Sequence, residues 1–492
     1  MKKTLALVLS VAMVFGLMAF PASADFEDSS DIQYTEAVDV MTACGVINGF
    51  EDGSFDPTGT LTREQAAKVI AYLMLGGDTA DALVATTAPF DDVAATRWSA
   101  GYIAYCVSSG IVSGRDGKTF DPTGSVTGYE FAKMLLVALG YDASVEVYTG
   151  SSWAVNVAKT ALDIDLFDGN DGANYNTAMT REEAALYAFN TLQATLVDYD
   201  STGTSIDLGN GIIVNTGATK AEDVEDSNDS KDTIDSDGYL QFAEKYFTDL
   251  ERDDDDKDDF GRPATTWTYD DDDVGTYAAA ADLTYTAKVK CSAIYSDTND
   301  EAKTADYIVD GETQTDLMLH DISGTYYNDD AADKIGGNGT LIEVYYGDNY
   351  DEDDGGVLVV EINTYVGYIS DWNEATDDYD EYVTIDAYSD DVPGDLAAAN
   401  DDIDDDSTFV TAAFDDDDAD DETVVLFTCA LNDDDTYDIE SVVPADSVTA
   451  FVTRSSTDKF VAGGTTYKYS ANYDVDNVAA YDSNADDAVI YL

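Results

Sequence analysis

Between residues 34 and 190, apolar side chains recur three and four positions apart, the spacing that builds one face of a helix. Tyr34, Val38 and Met41 form one such series, and Trp98, Tyr102, Tyr105 and Cys106 another. Ala66, Val69, Ile70 and Leu73, then Phe131, Met134, Leu135 and Ala138, then Ala184, Leu186, Tyr187 and Asn190 form three more. Each of these last three follows a Thr-x-x-Glu/Gln: Thr62 with Gln65, Thr127 with Glu130 and Thr180 with Glu183. That pairing predicts a capping box, in which the threonine and the acid or amide satisfy two orphan N–H groups. Gly45 and Gly110 follow the first two helices as left-handed caps, and Asp165 takes that place in the third unit.

Beyond about Ser201 the helical spacing ends, apart from one amphipathic candidate from Tyr239 to Leu250. Short alternating or β-branched runs replace it, such as Leu283-Thr-Tyr-Thr, Thr340-Leu-Ile-Glu-Val, Gly356-Val-Leu-Val-Val and Glu422-Thr-Val-Val-Leu. Gly, Asn and Asp clusters separate them, which predicts small antiparallel sandwich or barrel modules.

The helical part is repetitive. Phe26-Glu27-Asp28, Gly45-Val46-x-x-Gly49, Phe55-Asp56-Pro57-Thr58-Gly59 and Thr62-Arg63-Glu64 return as Phe90-Asp91-Asp92, Gly110-Ile111-x-x-Gly114, Phe120-Asp121-Pro122-Thr123-Gly124 and Thr127-Gly128-Tyr129-Glu130. A third unit keeps Trp153, Leu166-Phe167-Asp168-Gly169 and Thr180-Arg181-Glu182. Arg63 and Arg181 open helices, where the N-terminus is already positive, so each needs a compensating anion. An external carboxylate held by guanidinium and helix N–H groups would supply one; an ion pair with a neighbouring Asp or Glu would do so equally.

These motifs resemble S-layer homology domains, and the resemblance covers about residues 26–195. It extends to surface-layer proteins of gut Firmicutes through Thr127-Gly-Tyr-Glu and Phe260-Gly-Arg-Pro. The resemblance implies an all-α three-repeat bundle with pseudo-threefold symmetry that binds pyruvylated secondary cell wall polysaccharide between repeats. It implies that Arg63 and Arg181, capped by Thr62 and Thr180, contact the pyruvyl carboxylate. Trp98, Trp153 and Tyr34 would then pack at the groove wall or stack on the sugar. Gly128 replaces the arginine in repeat 2, which puts that groove in question.

Lys2 and Lys3, the apolar run from Leu5 to Phe20 and Ala22-Ser23-Ala24 form a secretory leader. The organisation expected is a signal peptide at 1–24, repeats at 26–88, 89–145 and 146–200, a linker with one helix at 201–265, and an acidic β-rich region at 266–492. Charge sharpens this picture. The chain carries 102 acidic against 23 basic side chains, net −79, and most acids lie beyond residue 200. Such a field repels nucleic acid and excludes a nucleic-acid partner; after leader cleavage no membrane partner is expected either.

Cys44, Cys106, Cys291 and Cys429 lie far apart, with buried free thiols the expectation for the first two. Asp235, Asp237 and Glu244 fall at positions 3, 5 and 12 of an EF-hand-like loop with Gly238 at 6, although Thr233 occupies position 1. Calcium is the ion such a loop would take, the alternative being a plain turn before a helix; no cofactor is required. Catalytic motifs are missing, and with one histidine, His320, no residue set points to an enzyme. The expectation is a secreted surface-layer or surface-layer-associated structural protein in the wall of a Gram-positive-type bacterium. It would be anchored non-covalently and able to self-associate. A wall-anchored enzyme such as a glycosidase, or an adhesin, is the alternative.

Overall fold

A computed structural model describes residues 26, 28–115, 117–170, 172–199, 205–207, 213–215, 220–226, 233–299, 302–320, 334–347, 350, 356–373, 382–388, 392–398, 407–410, 423–432, 434–456, 459–472 and 488–491. The leader and the acidic run from Asp415 to Asp418 lie outside the described residues. The chain divides into two compact units. One comprises Ala19–Asp254 with Thr266–Tyr277, and the other holds Asp255–Thr265 with Ala278–Leu492. Among the described residues no helix is long and apolar enough to cross a membrane.

In the first unit the repeats supply helices α1 (Thr35–Ala43), α2 (Arg63–Leu75), α3 (Ala100–Ser108), α4 (Gly128–Ala138), α5 (Trp153–Asp163) and α6 (Arg181–Gln193), with α7 (Phe242–Tyr246) after them. All three expected capping boxes form, at Thr62, Thr127 and Thr180. Gly45, Gly110 and Asp165 take φ of +66°, +74° and +53° at the ends of first helices. Val38, Met41, Ile70, Leu73, Phe131, Leu135 and Leu192 are fully buried or nearly so, in one continuous core.

The expectation of an all-α, pseudo-threefold bundle is corrected. The segments entering the second helices pair as β-bridges: Thr60 with Thr180, Thr62 with Ser125, and Thr127 with Ala178. After α6, β1 (Val197–Asp198) pairs with β2 (Glu222–Asp223). The strands β3 (Leu250–Lys257), β4 (Pro263–Tyr269) and β5 (Asp272–Ala278) form a sheet in that order, and Trp267 and Tyr277 enter the same core as the helices.

The physical reason is polar. The face of α1 that turns inward carries Glu36 and Asp39, which apolar helix faces cannot satisfy. Trp267 Nε1 donates to Glu36 at 2.7 Å and the Tyr277 hydroxyl donates to Asp39 at 2.8 Å. Burial, followed by the Asp39 carboxylate, pushes the Tyr277 hydroxyl far above its ordinary value. The repeats also differ in sequence, since the third lacks the Asp-Pro-Thr-Gly turn.

In the second unit, β6 (Leu283–Tyr285), β7 (Thr304–Val309), β8 (Glu312–Thr313), β9 (Leu317–Met318), β10 (Thr340–Tyr346) and β11 (Val357–Asn363) form a six-stranded sheet. Its order is β8-β7-β11-β10-β6, with β9 also on β7. The β7–β11 pair is parallel, a departure from a purely antiparallel expectation. Every residue of β11 is buried. Val357 and Val359 join one apolar cluster, while Leu358, Val360 and Ile362 join another. A strand covered on both faces reads as a continuous apolar run rather than an alternation, as Val-Leu-Val-Val does.

Strands β12 (Tyr365–Asn373), β13 (Tyr382–Ala387), β14 (Thr408–Val410), β15 (Val424–Leu431) and β16 (Tyr437–Pro444) form an antiparallel sheet in the order β14-β13-β12-β15-β16. Asp310 ties the β7–β8 turn to the start of this sheet. It accepts from Asn363 N at 2.7 Å, Asn363 Nδ2 at 2.9 Å and the Tyr365 hydroxyl at 2.8 Å. Burial pushes its carboxyl up to about 6 despite these donors.

Candidate functional site

In each of the first two repeats the turn before the second helix is shaped by an aspartate from the repeat's start. Asp28 accepts from Phe55 N and Asp56 N, both at 2.7 Å, and Asp92 accepts from Phe120 N and Asp121 N at 2.8 and 2.7 Å. Asp56 and Asp121 consequently sit at φ +55° and +63°. Two carboxylate-held N–H groups per turn explain why Phe-x-Asp and Phe-Asp-Pro travel together in the sequence. They also aim the Phe55 and Phe120 carbonyls at the next element.

That element is the second helix of another repeat. Arg63 N and Glu64 N donate to Gly124 O and Pro122 O of repeat 2 at 2.9 and 3.0 Å. Arg181 N and Glu182 N donate to Gly59 O and Pro57 O of repeat 1 at 2.8 and 3.2 Å. Tyr129 N of repeat 2 donates to Tyr175 O of repeat 3 at 3.0 Å. The first helical N–H groups, expected to be free for a ligand, are thus spent on neighbouring turns.

The three interfaces differ in charge. Where repeat 1 meets repeat 2, Arg63 Nε donates to Phe120 O at 3.0 Å and the guanidinium lies 4.8 Å over the Phe120 ring. Arg63 Nη1 stands 3.6 Å from Glu130, which also receives Arg115 at 3.4 Å; Arg115 reaches Asp121 at 3.2 Å. Buried Glu64 accepts a fork from Arg97, both bonds at 2.7 Å, and the Ser99 hydroxyl. Burial alone would raise the Glu64 carboxyl, but these donors outweigh it and hold it low.

Where repeat 3 meets repeat 1, Arg181 is only 8% exposed. Its Nε donates to Phe55 O at 2.7 Å and its Nη2 to Asn48 O at 3.0 Å. The guanidinium lies over the Phe50 and Phe55 rings, 4.5 and 4.9 Å from their centres. Among the described residues no carboxylate comes within ion-pair distance of it. Burial lowers its proton affinity, while Asp56 and Asp28 oppose this from farther off. Glu182 here accepts from Gln33 N at 2.9 Å, and its carboxyl is raised by burial.

Where repeat 2 meets repeat 3, the arginine position holds Gly128 and the space holds Tyr175. A Cβ on Gly128 would stand 3.2 Å from both Tyr175 Cα and Cβ. Tyr175 stacks on Phe167 at 4.0 Å and 12°, and touches Tyr129 and Tyr187. Gly128→Ala should therefore lower stability by about 1–3 kcal/mol through overpacking. An unchanged melting temperature would show that Tyr175 yields freely.

Of the aromatics singled out in the sequence, Trp98 is 55% exposed and outside the core, with Tyr102 edge-on at 6.2 Å. Trp153 and Tyr34 are half-buried and pack on the core, with Lys133 Nζ 5.9 Å over Trp153. Thr62 and Thr180 act as helix caps. Glu244 is the third residue of a capping box and accepts from Gln241 N at 3.0 Å and Ile234 N at 3.4 Å. Asp237 accepts from Tyr239 N at 2.7 Å and Gln241 Nε2 at 3.1 Å. Among the described residues no group of three or more His, Cys, Asp or Glu side chains is arranged to hold a metal ion, so Asp235, Asp237 and Glu244 do not converge on one. Cys44, Cys106, Cys291 and Cys429 are buried, and burial pushes the thiols of the first two up to about 12.

Sequence reading missed Asn48, Phe50, Arg115, Glu130 as a counter-ion, and Tyr175. A signal for two of them was present: Phe50 and Arg115 each follow the last glycine of Gly-x-x-x-Gly, at equivalent places of opposite chemistry.

Comparison with known proteins agrees with the repeats. The family model described as S-layer homology domain matches residues 25–67 and 89–132, in the first two repeats. A surface layer protein of Brevibacillus choshinensis is 28% identical over 217 residues, 42% of this chain and 18% of the relative. A middle cell wall protein of Brevibacillus brevis is 27% identical over 211 residues, 42% of this chain and 19% of the relative. An endoglucanase of a Bacillus strain is 33% identical over 105 residues, 20% of this chain and 11% of that enzyme. The chain thus spans less than a fifth of the length of these two Brevibacillus proteins. The repeat motifs, their interlocking turns and the family match agree that the chain carries S-layer homology domains in its first two repeats.

Proposed function

We propose that the chain is a cell-surface structural protein of the surface-layer type, exported by its leader and held on secondary cell wall polysaccharide by its repeats. The observation that carries this reading is Arg181, a guanidinium buried at a repeat interface with no counter-ion among the described residues. A buried charge left unpaired is costly, and an acidic group of a wall glycan would compensate it. A pyruvyl carboxylate is the form this reading favours. Exposed Trp98 offers a second, stacking contact for sugar.

The two Brevibacillus relatives, named for the surface layer and the cell wall, support a structural role and self-association rather than catalysis. The endoglucanase likeness is confined to the repeats and supports a shared anchor. The chain's net charge of −79, carried mostly beyond residue 200, gives that region a strong preference for cations and for remaining soluble.

Co-sedimentation of the full mature chain with purified walls tests the reading. Walls keeping their polysaccharide should pull the protein down, and walls stripped of it by hydrofluoric acid should not. Equal sedimentation with stripped walls would remove the reading.

A further inference from the structure

The second unit reverses its charge at one place. Between Lys334 and Arg454 the sequence holds no lysine or arginine. Arg454, Lys459 and Lys468 then occur within residues 447–473 against a single acid, Asp458. All three fall on a small antiparallel sheet of β17 (Val452–Ser455), β18 (Lys459–Ala462) and β19 (Thr465–Lys468), in that order.

Strand register puts them on one face. Lys459 pairs with Lys468, and Val461 pairs with Arg454 on one side and Thr466 on the other. Residues two apart on a strand share a face, so Arg454, Lys459 and Lys468 lie together with Val461 and Thr466. The other face holds Phe460, Ala462 and Tyr467. There Phe460 stacks on Tyr467 at 5.3 Å and meets Tyr469 at 5.3 Å, and Ala462 is fully buried. The chain just beyond β19 is tied to the six-stranded sheet and the turn before β10. Asn472 Nδ2 donates to Asn363 Oδ1 at 3.0 Å, and Asn338 Nδ2 donates to Tyr469 O at 2.9 Å. The aromatic face is half-buried, whereas the three cations are exposed.

That arrangement is electrostatically unfavourable by itself. Like charges directly opposite on paired strands repel, and Lys459 and Lys468 are such a pair. Cations on edge strands keep foreign strands from pairing there, which accounts for Arg454 and Lys468 but not for Lys459 on the central strand. Among the described residues no carboxylate lies within ion-pair distance of Arg454 or Lys468. An acid from outside the chain would relieve the repulsion.

Resting on the surface-layer reading and its self-association, we infer that this cationic face is a docking surface for the acidic surface of a second copy of the chain. Charge complementarity selects that occupant. With a net charge of −79, copies repel one another over most of their surface, and this face is where the sign reverses. The acid it needs is displayed by the same chain: Asp253–Asp256 on β3 and Asp270–Asp273, where β4 turns into β5, are two exposed runs. The contact is heterologous, so each copy keeps one surface to give and another to receive, and it repeats from copy to copy.

Sedimentation velocity of the full mature chain at about 0.15 M salt tests this. The screening length there is about 8 Å, so repulsion between whole copies is damped while contacts at the face persist. Wild type should form dimers and larger species as concentration rises. The triple variant Arg454→Gln, Lys459→Gln, Lys468→Gln should associate roughly 10–100-fold more weakly, as three exposed ion pairs are lost, with an unchanged melting temperature. Carbodiimide coupling, which joins a lysine amine to a carboxylate touching it, probes the wild type and so survives a variant that fails to fold. In a mixture of isotope-labelled and unlabelled chains, peptides holding Lys459 or Lys468 should be joined to acidic peptides of the other label.

Coupling within one chain only, or none at these lysines in chains that associate, would overturn the inference. Equal association of wild type and triple variant would overturn it too and leave the surface-layer reading standing. A triple variant that associates normally but loses its hold on purified walls would assign the face to an anionic wall polymer instead. A wild type that stays monomeric at every concentration would remove self-association from the reading as well, with wall binding still judged by its own sedimentation test.

Discussion

Trp267→Ala should destabilise the helical unit by about 3–5 kcal/mol, the usual cost of emptying a large aromatic site. Trp267 is fully buried, packs edge-on against Phe189 at 5.3 Å, and donates to Glu36. The residue lies far in sequence from the repeats it supports, so a helical unit ending at residue 195 would not feel the change at all. Calorimetry of the full chain should show the transition of that unit lowered by roughly 10 °C, at 2–4 °C per kcal/mol for a unit of this size. Trp267→Phe separates packing from polarity. It keeps a ring against Phe189 but leaves the Glu36 carboxylate short of a donor, at about 1–3 kcal/mol. Burial already raises the Glu36 carboxyl, with the Trp267 donor opposing, so the deficit of this variant should narrow as pH falls and Glu36 is protonated. Unchanged unfolding of Trp267→Ala would disconnect the strands from the helical core.

Glu440→Gln should stabilise the other unit at alkaline pH and do little in acid. Glu440 is 6% exposed on β16. Burial, then the carboxylates of Asp259, Asp438 and Asp258, push it up to about 9 against the pull of Arg262. A folded-state value above the unfolded one means the carboxyl's contribution is fully present below about 4.5. It is lost progressively as pH rises through 9. Glutamine mimics the protonated acid without a proton to lose. The gain should be on the order of 2–4 kcal/mol at pH 8, since each tenfold change in proton affinity is worth about 1.4 kcal/mol, and close to nothing at pH 4.5. Equal melting temperatures of variant and wild type at pH 8 would mean that Glu440 ionises freely in the fold. Asp310, pushed up to about 6 by burial, adds to the same trend at lower pH. The acidic unit should therefore be more stable near pH 5 than near pH 8.

Much of the fold was legible because its causes are local. A threonine, a helix face and an acid or amide three residues on are neighbours in sequence, so the starts of α2, α4 and α6 could be read from a few letters each. The left-handed ends at Gly45, Gly110 and Asp165 are local for the same reason. Strand β11 announced itself as an unbroken apolar run because both its faces are covered.

The all-α bundle failed for a non-local reason. Glu36 and Asp39 read as ordinary polar positions of a helix, and nothing nearby shows that their partners are an indole and a phenol more than 230 residues away. At the candidate site the split is similar. The sequence identified Arg63 and Arg181 as cations at positive helix ends, a purely local conflict that demands an anion. It left open whether that anion is internal. Only the contact of one repeat on another decides it, because the residue facing each arginine comes from a different repeat: Glu130 for Arg63, and for Arg181 a repeat whose equivalent residue is Gln65. Sequence thus determined the caps, the turns and the cations, each set by backbone chemistry within a few residues. Tertiary structure decided which cation is paired with a carboxylate and which is buried with none at ion-pair distance among the described residues, because charge compensation depends on distance in space and not on separation along the chain.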